Sequence, residues 1–336
     1  MTGAPRNLVF ISDGTLSTLK PGCETNAGQV LRLLEQVGRS RVQHFDYDPG
    51  VQGNGWRRWF NAATGNGINL SIIQGYRFLA SRYQTGDRIY LFGYSRGAYA
   101  VRSLAGMIGS VGLLRQEMAT ERNIRRAFRF YERQDGERQR RRCLAFAEER
   151  CHGEAQIEML GVWDTVRALG LPYPGLSRLA PMATDFHDHA LGGHIRHGYH
   201  ALAIDEDRSA FAPILWRRSH HWEGRLEQAW FPGVHGDVGG DIRRNAAARP
   251  FANLSLNWML RRAADLGLAL PEDWRAQFPE DSAAPSVGPR RGAAKFYLLR
   301  QPRVTGRGDG EIIHLSIRER IAALAGYQPR GRVDGR

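Results

Sequence analysis

No stretch of about eighteen consecutive apolar residues occurs in the 336-residue sequence, which excludes a helix able to satisfy its backbone across a bilayer. The first twenty residues also lack the basic start, apolar run and small-residue cleavage site of a secretory leader. Arg6 is followed only by the short run Leu8 to Ile11, which reads as a buried strand. A soluble protein, cytoplasmic in the cell that makes it, is the expectation. Cysteine is scarce: Cys23, Cys143 and Cys151 cannot all pair and show no C-x-x-C spacing, so they read as plain thiols suited to a reducing compartment. Lysine is almost missing too. The 47 basic residues are nearly all arginine, and against 34 acidic ones they leave a net charge of +13. Such a field favours anionic partners, whether phospholipid head groups, nucleic acid or acidic proteins, and says nothing about the fold.

What is present is a hydrophobic fraction of 42%, enough at this length for one large core. Short apolar runs alternate with stretches of helical period, the rhythm of parallel strands joined by crossover helices. Strands are expected at Asn7–Asp13, Arg41–Asp46, Arg88–Gly93, Gln156–Asp164, Pro213–Arg217 and Leu226–Phe231, with late ones at Lys295–Leu299 and Ile312–Ile317. Helices are expected to begin near Asn26, Ile68 and Arg96, and a last one spans Asn253–Leu266, with Asn253 as its cap. The fold class is therefore α/β: a doubly wound, mainly parallel sheet in a single domain over residues 1–326. A charge-dense segment at about 116–153, with a narrow apolar stripe of Ile124, Ala127, Phe128 and Tyr131, reads as a helical cap insertion. Residues 170–198 read as a loop-rich insertion, and 327–336 as a disordered tail.

Chemistry is signalled most clearly at Gly93-Tyr94-Ser95-Arg96-Gly97, directly after an apolar strand and directly before a small-residue helix. A serine held on a tight strand-to-helix turn needs flanking residues without Cβ atoms, and Gly93 and Gly97 provide this elbow. The amide of Arg96, at the helix start, is placed to donate to an oxyanion. The pattern also fits a plain Gly-Ser turn of a Rossmann-like protein. A nucleophilic serine needs a histidine as proton shuttle and a carboxylate to orient it, following the serine in the order acid, then histidine. Asp164, at the carboxyl end of its strand, fits the acid, although it also reads as a cap over Thr165. His235, in the glycine-rich Trp230-Phe-Pro-Gly-Val-His-Gly-Asp-Val-Gly-Gly240, fits the base, with a buried structural histidine as the alternative. Asp237 is a rival orienter or a loop brace. Gly14 and Thr15, after the first strand, are candidates for a second oxyanion donor, and Asp13 beside them is a supporting residue or a cation ligand. His200 reads as a supporting residue in an apolar helix start.

These landmarks resemble the catalytic domain of type VI secretion phospholipase effectors of the Tle1 kind, from about Asn7 to Trp258. They are Phe10-Ile-Ser-Asp-Gly-Thr15, Phe92-Gly-Tyr-Ser-Arg-Gly-Ala98, Val162-Trp-Asp-Thr-Val166, His200-Ala-Leu-Ala-Ile-Asp-Glu206, Trp230-Phe-Pro-Gly-Val-His235 with Asp237-Val-Gly-Gly240, and Leu254-Ser-Leu-Asn-Trp-Met259. The resemblance implies an α/β-hydrolase-like fold, Ser95 as nucleophile, Asp164 as acid, His235 as base and a lipid acyl ester as substrate; phospholipase A1 or A2 chemistry without a cofactor is the expectation. It also brings type VI secretion into view, and with export a secretion chaperone or immunity protein as partner. One departure is Leu16-Ser17, where family members commonly carry Trp-Asn.

Other signals have plainer readings. Trp56, Arg57, Arg58, Trp59 and Phe60 mix aromatic bodies and cations as a lipid interface does, so the cluster reads either as packing under the cap or as a peripheral membrane contact. Arg122 to Arg142 form a basic stretch diluted by acids, which reads as a solvated helix face, and nucleic acid is not an expected partner. Asp185, His187, Asp188, His189, His194 and His197 lack a usual metal-ligand spacing, so no metal is assigned. Two other functions remain open: a soluble esterase or thioesterase with the same triad, and a non-catalytic binding module on the same fold.

Overall fold

The computed structural model describes residues 5–15, 17–38, 42–50, 66–133, 136–166, 190–219, 222–288 and 299–332. Seven strands form one sheet in the order β2-β1-β3-β4-β6-β8-β9: β1 Asn7–Ser12, β2 Gln43–Asp48, β3 Arg88–Tyr94, β4 Ile157–Trp163, β6 Ile195–Ala203, β8 Arg225–Phe231 and β9 Glu311–Ile313. Every neighbouring pair is parallel. Strands buried on both faces need continuous apolar sequence, and Asn7-Leu-Val-Phe-Ile-Ser12 and Ile157-Glu-Met-Leu-Gly-Val-Trp163 are buried throughout. A small second sheet pairs β5 (Ala190–Leu191) with β7 (Arg217–Arg218).

Helices cover both faces. On one lie α2 (Asn66–Ala80) and α3 (Arg96–Val111), packed on Leu8, Phe10, Leu91 and Leu160; on the other lie α1 (Asn26–Val37) and α7 (Arg249–Asp265), packed on Val9, Ile11, Phe92 and Met159. Strand order reverses between β1 and β3, because β2 lies on the far side of β1. Open parallel sheets keep their ligand crevice at such a switch point, beyond the carboxyl ends of the strands. Ser12 is paired with Gly93 at that edge, so the loop after β1 and the turn after β3 adjoin.

The 116–153 insertion carries two helices, α4 (Glu121–Glu132) and α5 (Glu137–Arg150). Its stripe of Ile124, Ala127, Phe128 and Tyr131 is buried, joined by Phe130 and Phe146. The excursion is closed at its base, where the Arg115 amide donates to Arg150 O (3.0 Å) and the His152 amide to Leu113 O (2.8 Å). It rests on α2 and α3, and Cys143 reaches Ser110 O near the last turn of α3. Ser95 lies at the opposite end of that helix, about 20 Å away at 1.5 Å per residue.

Several expectations are corrected. The stretch expected as loop to Gly198, followed by a helix start at His200, instead yields the nine-residue β6 between β4 and β8. Histidines and a glycine disguised it, yet its pairing on both sides satisfies the backbone and six consecutive residues, Gly198–Ala203, are buried. Pro213–Arg217 is mostly loop. α7 starts four residues early, with Pro in its first turn, where the missing N–H costs nothing; Asn253 lies inside the helix and donates to Pro279 O (2.8 Å). The late strand stops at Ile313, and Ser316–Ala323 forms α8. Residues 327–332 are docked: Tyr327 Oη donates to Asp205 and the Arg332 amide to Arg303 O (2.8 Å). The expected strand at Lys295–Leu299 falls, apart from Leu299, outside the described residues, as do Leu16 and the cluster Trp56 to Phe60.

Candidate active site

Ser95 sits between β3 and α3 with φ 57° and ψ −116°, a backbone conformation that costs a residue with a side chain on the order of 1–3 kcal/mol. The surroundings enforce it. A Cβ on Gly97 would stand 2.0 Å from Ser12 O and 2.5 Å from Asp13 O, and one on Gly93 would stand 2.6 Å from Gly97 O. Both glycines are thus required by backbone packed against backbone. The Ser95 amide donates to Trp163 O (3.0 Å), which ties the turn to the end of β4.

The three residues singled out from the sequence are brought together. Ser95 Oγ lies 2.9 Å from His235 Nε2, and His235 Nδ1 lies 2.6 Å from Asp164 Oδ2. Because a carboxylate only accepts, Nδ1 carries the proton and the Nε2 lone pair faces the serine hydroxyl. Asp164 follows β4 with φ 43°, and its Oδ1 accepts from the Ala203 amide (3.1 Å). Burial alone would push this carboxyl up. The charge of Arg303, together with hydrogen bonds from His235 and Arg303, outweighs that and holds it well below the ordinary carboxylate range.

His235 opens a single-turn helix, α6 (His235–Gly239), and its ring is flanked by the rings of Tyr94 and Phe211, each with its centroid 4.9 Å away. Its amide donates to Glu206 Oε2 (3.2 Å), a buried carboxylate held by Arg208. Asp237 takes no part in orienting the imidazole. It accepts from the Val234 amide (2.9 Å), Ser286 Oγ (2.6 Å) and the Val287 amide (2.7 Å), so it braces the turn that carries His235.

The loop after β1 is organised by Asp13, which accepts from Thr25 Oγ1, Ser17 Oγ, Tyr47 Oη and the Gly14 amide. That last bond, at 2.6 Å, engages the Gly14 N–H that the sequence offered as an oxyanion donor. Thr15 is half-buried, and its enclosed hydroxyl has no partner among the described residues. Arg96 is the first residue of α3, so its amide belongs to the first-turn N–H groups that lie outside the helical ladder.

His200, in β6, accepts from the Thr165 amide through Nε2 (3.1 Å), and its Nδ1 faces Gln228 Oε1 (3.3 Å). It therefore supports the residue next to Asp164 as a neutral imidazole, and burial lowers its pKa to about 3. Asp185, His187, Asp188 and His189 lie outside the described residues. His194 is engaged with Ala105 O and His197 with Glu158 O.

Sequence reasoning missed Arg303, Glu206 and Phe211. None sits in a motif with catalytic spacing, although Glu206 closes the His200–Glu206 landmark. No helix among the described residues is long and apolar enough to cross a membrane.

Chemically, a serine hydroxyl with a neutral imidazole acceptor and a buried carboxylate behind it can be deprotonated as it attacks a carbonyl carbon. The family described as T6SS, Phospholipase effector Tle1-like, catalytic domain, matches residues 6–262. An uncharacterized Saccharomyces cerevisiae protein, YEL023C, is 29% identical in an alignment 234 residues long that covers 63% of this chain and 33% of that one. Two solved structures are similar at lower level. An uncharacterized protein from Pseudomonas aeruginosa has a TM-score of 0.46 at 16% identity, covering 83% of this chain and 49% of the other. The Tle1 effector bound to the VgrG spike from the type 6 secretion system has a TM-score of 0.34 at 15% identity, covering 70% and 51%. The chain thus spans a third of the yeast protein's length and about half of each solved chain.

Proposed function

Since the chain belongs to the Tle1-like catalytic domain family of type VI secretion phospholipase effectors, we propose that it hydrolyses the carboxylic acyl esters of phospholipids, as a phospholipase A, through an acyl-enzyme on Ser95. The observation that carries this reading is the continuous hydrogen-bonded line from Ser95 through His235 to Asp164, set on a strained elbow at the switch point of the sheet.

Each step follows from that line. Ser95 Oγ attacks the ester carbonyl while its proton passes to His235 Nε2, and Asp164 stabilises the imidazolium through Nδ1. The carbonyl oxygen gains charge and is held by the first-turn amides of α3, beginning at Arg96, where the positive end of the helix dipole lies. Collapse of this adduct breaks the ester bond, and the lysophospholipid leaves with the proton from Nε2. A water then repeats the sequence on the acyl-serine and releases the fatty acid. The arginine-rich surface supports recruitment to anionic head groups. Export through type VI secretion, with a chaperone or immunity protein, belongs to the same proposal.

Fatty-acid release from phospholipid vesicles tests it, with a short soluble ester measured alongside. Release from vesicles that disappears in Ser95→Ala is the expected result. Turnover of the soluble ester with no release from vesicles would replace the lipid substrate by a small one, and no turnover of either by folded protein would refute the hydrolase reading.

A further inference from the structure

Asp164 is held from two sides, and only one of them belongs to the Ser95–His235 line. On the other, Arg303 Nη1 lies 2.5 Å from Oδ1 and Nη2 lies 2.9 Å from Oδ2, a two-pronged contact. The same guanidinium donates to Ala203 O (2.7 Å), at the end of β6, and to Phe211 O (2.6 Å). Asp164 is 0% exposed and Arg303 6%, so the pair is formed in the interior and not at a solvent-screened surface.

Arg303 stands outside the span 6–262 matched by the family, in the segment 299–332. That segment is fastened to the loop after β6. Arg300 and Arg330 pair with Asp207, and Asp205 accepts from the Tyr327 hydroxyl (2.8 Å) and the Arg330 amide (2.9 Å). Asp205 also accepts from the Gly233 amide (2.6 Å), in the turn that leads into His235. The C-terminal segment therefore grips both the acid and the loop of the base.

We propose that Arg303 is a positioning residue for acyl hydrolysis, so that the catalytic unit extends past the family-matched region to a C-terminal strap which fixes Asp164 towards His235. This rests on the reading of Ser95, His235 and Asp164 given above. A buried carboxylate with no cation either takes up a proton or turns to find donors, and either event removes the acceptor that His235 Nδ1 requires. The planar guanidinium prevents both, because it bonds the two oxygens at once and fixes the plane of the carboxylate.

The experiment compares the full chain with Arg303→Met, Arg303→Lys and Ser95→Ala, using a short soluble ester, fluorophosphonate labelling and a thermal melt. Arg303→Met is expected to lower kcat and the labelling rate by about 100-fold, the effect of a misplaced catalytic group, with KM changed by less than about 3-fold. The acid limb of the kcat/KM profile moves to higher pH by about one unit or more, as Asp164 loses its cation. The other charges near the site, Arg102 acting on the neutral His200 and the Glu206–Arg208 pair at the His235 amide, are unchanged in the variant. A purely structural role would lower the melt and leave the acid limb in place. Folded Arg303→Met with kcat within about 3-fold of wild type and an unmoved acid limb overturns the proposal. Should Arg303→Met fail to fold, Arg303→Lys decides: one ammonium cannot bridge both oxygens, so about a 10-fold loss in kcat is expected, and wild-type kcat with a wild-type acid limb overturns the proposal. Activity retained by Ser95→Ala would instead bring down the serine reading itself, whatever Arg303 does.

Discussion

Replacing Asp164 by asparagine changes no heavy-atom count, so its effect is decided by hydrogen-bond direction. Oδ1 accepts from Arg303 Nη1 and the Ala203 amide, two donors, and the asparagine oxygen must remain there. The new amide nitrogen then takes the place of Oδ2, against Arg303 Nη2 and His235 Nδ1. Facing a donor, Nδ1 has to accept, so the imidazole proton moves to Nε2 and the lone pair that should receive the Ser95 proton is lost. The wrong tautomer of a catalytic histidine costs about 10⁴ in kcat. Stability falls as well, since Arg303 keeps only one of its two oxygens on residue 164, and a buried ion pair broken on one side costs about 3 kcal/mol at the low end. For a chain of 336 residues that corresponds to a fall in melting temperature of about 4 °C. Both quantities are measured on purified Asp164→Asn, by single-turnover labelling with a fluorophosphonate and by a thermal melt. A folded variant whose labelling rate stays within about 10-fold of wild type would refute this account of the tautomer.

Other perturbations follow from the same contacts. Gly97→Ala places a methyl group against two backbone carbonyls that cannot rotate away, so a loss of about 3 kcal/mol, with labelling abolished or nearly so, is expected in a urea titration and a labelling assay. Asp237→Ala leaves the buried Val234 and Val287 amides without acceptors, at about 1–3 kcal/mol each, and loosening of the His235 turn should slow ester turnover by about 10-fold. His200 is held neutral, its folded value near 3 lying below the ordinary histidine value of 6.5. The unfolded chain therefore binds its proton first, and this part of the stability is complete above about pH 6.5 and is lost as pH falls towards 3, at about 1.4 kcal/mol per pH unit. Unfolding free energies of wild type and His200→Gln from urea titrations across that range should differ in slope by this amount, and parallel curves would contradict it.

The parallel α/β order was legible because its strands are buried on both faces and so carry unbroken apolar sequence, as in β1, β3 and β4. The elbow was legible because the need for Gly93 and Gly97 is met within five residues. The choice between Asp164 and Asp237 was not local, for both are acids near the right element, and only their partners separate an orienting group from a brace. β6 was hidden by His197, Gly198 and His200, since a histidine is tolerated inside a sheet only when both nitrogens are matched, here by Thr165 and Gln228. Gly14 shows the limit of reading a loop from its glycine: the neighbouring Asp13 carboxylate takes the amide. Arg303 was invisible because it meets Asp164 across 139 positions, in a chain whose arginines are too numerous for any one to stand out.

The central claim, that Ser95 is the nucleophile and His235 its base, is tested most directly by mapping a fluorophosphonate adduct. Peptide mass spectrometry of labelled wild type should place the adduct on Ser95, and His235→Ala, still folded, should carry almost none. An adduct on another residue, or full labelling of Ser95 in the absence of His235, would contradict it.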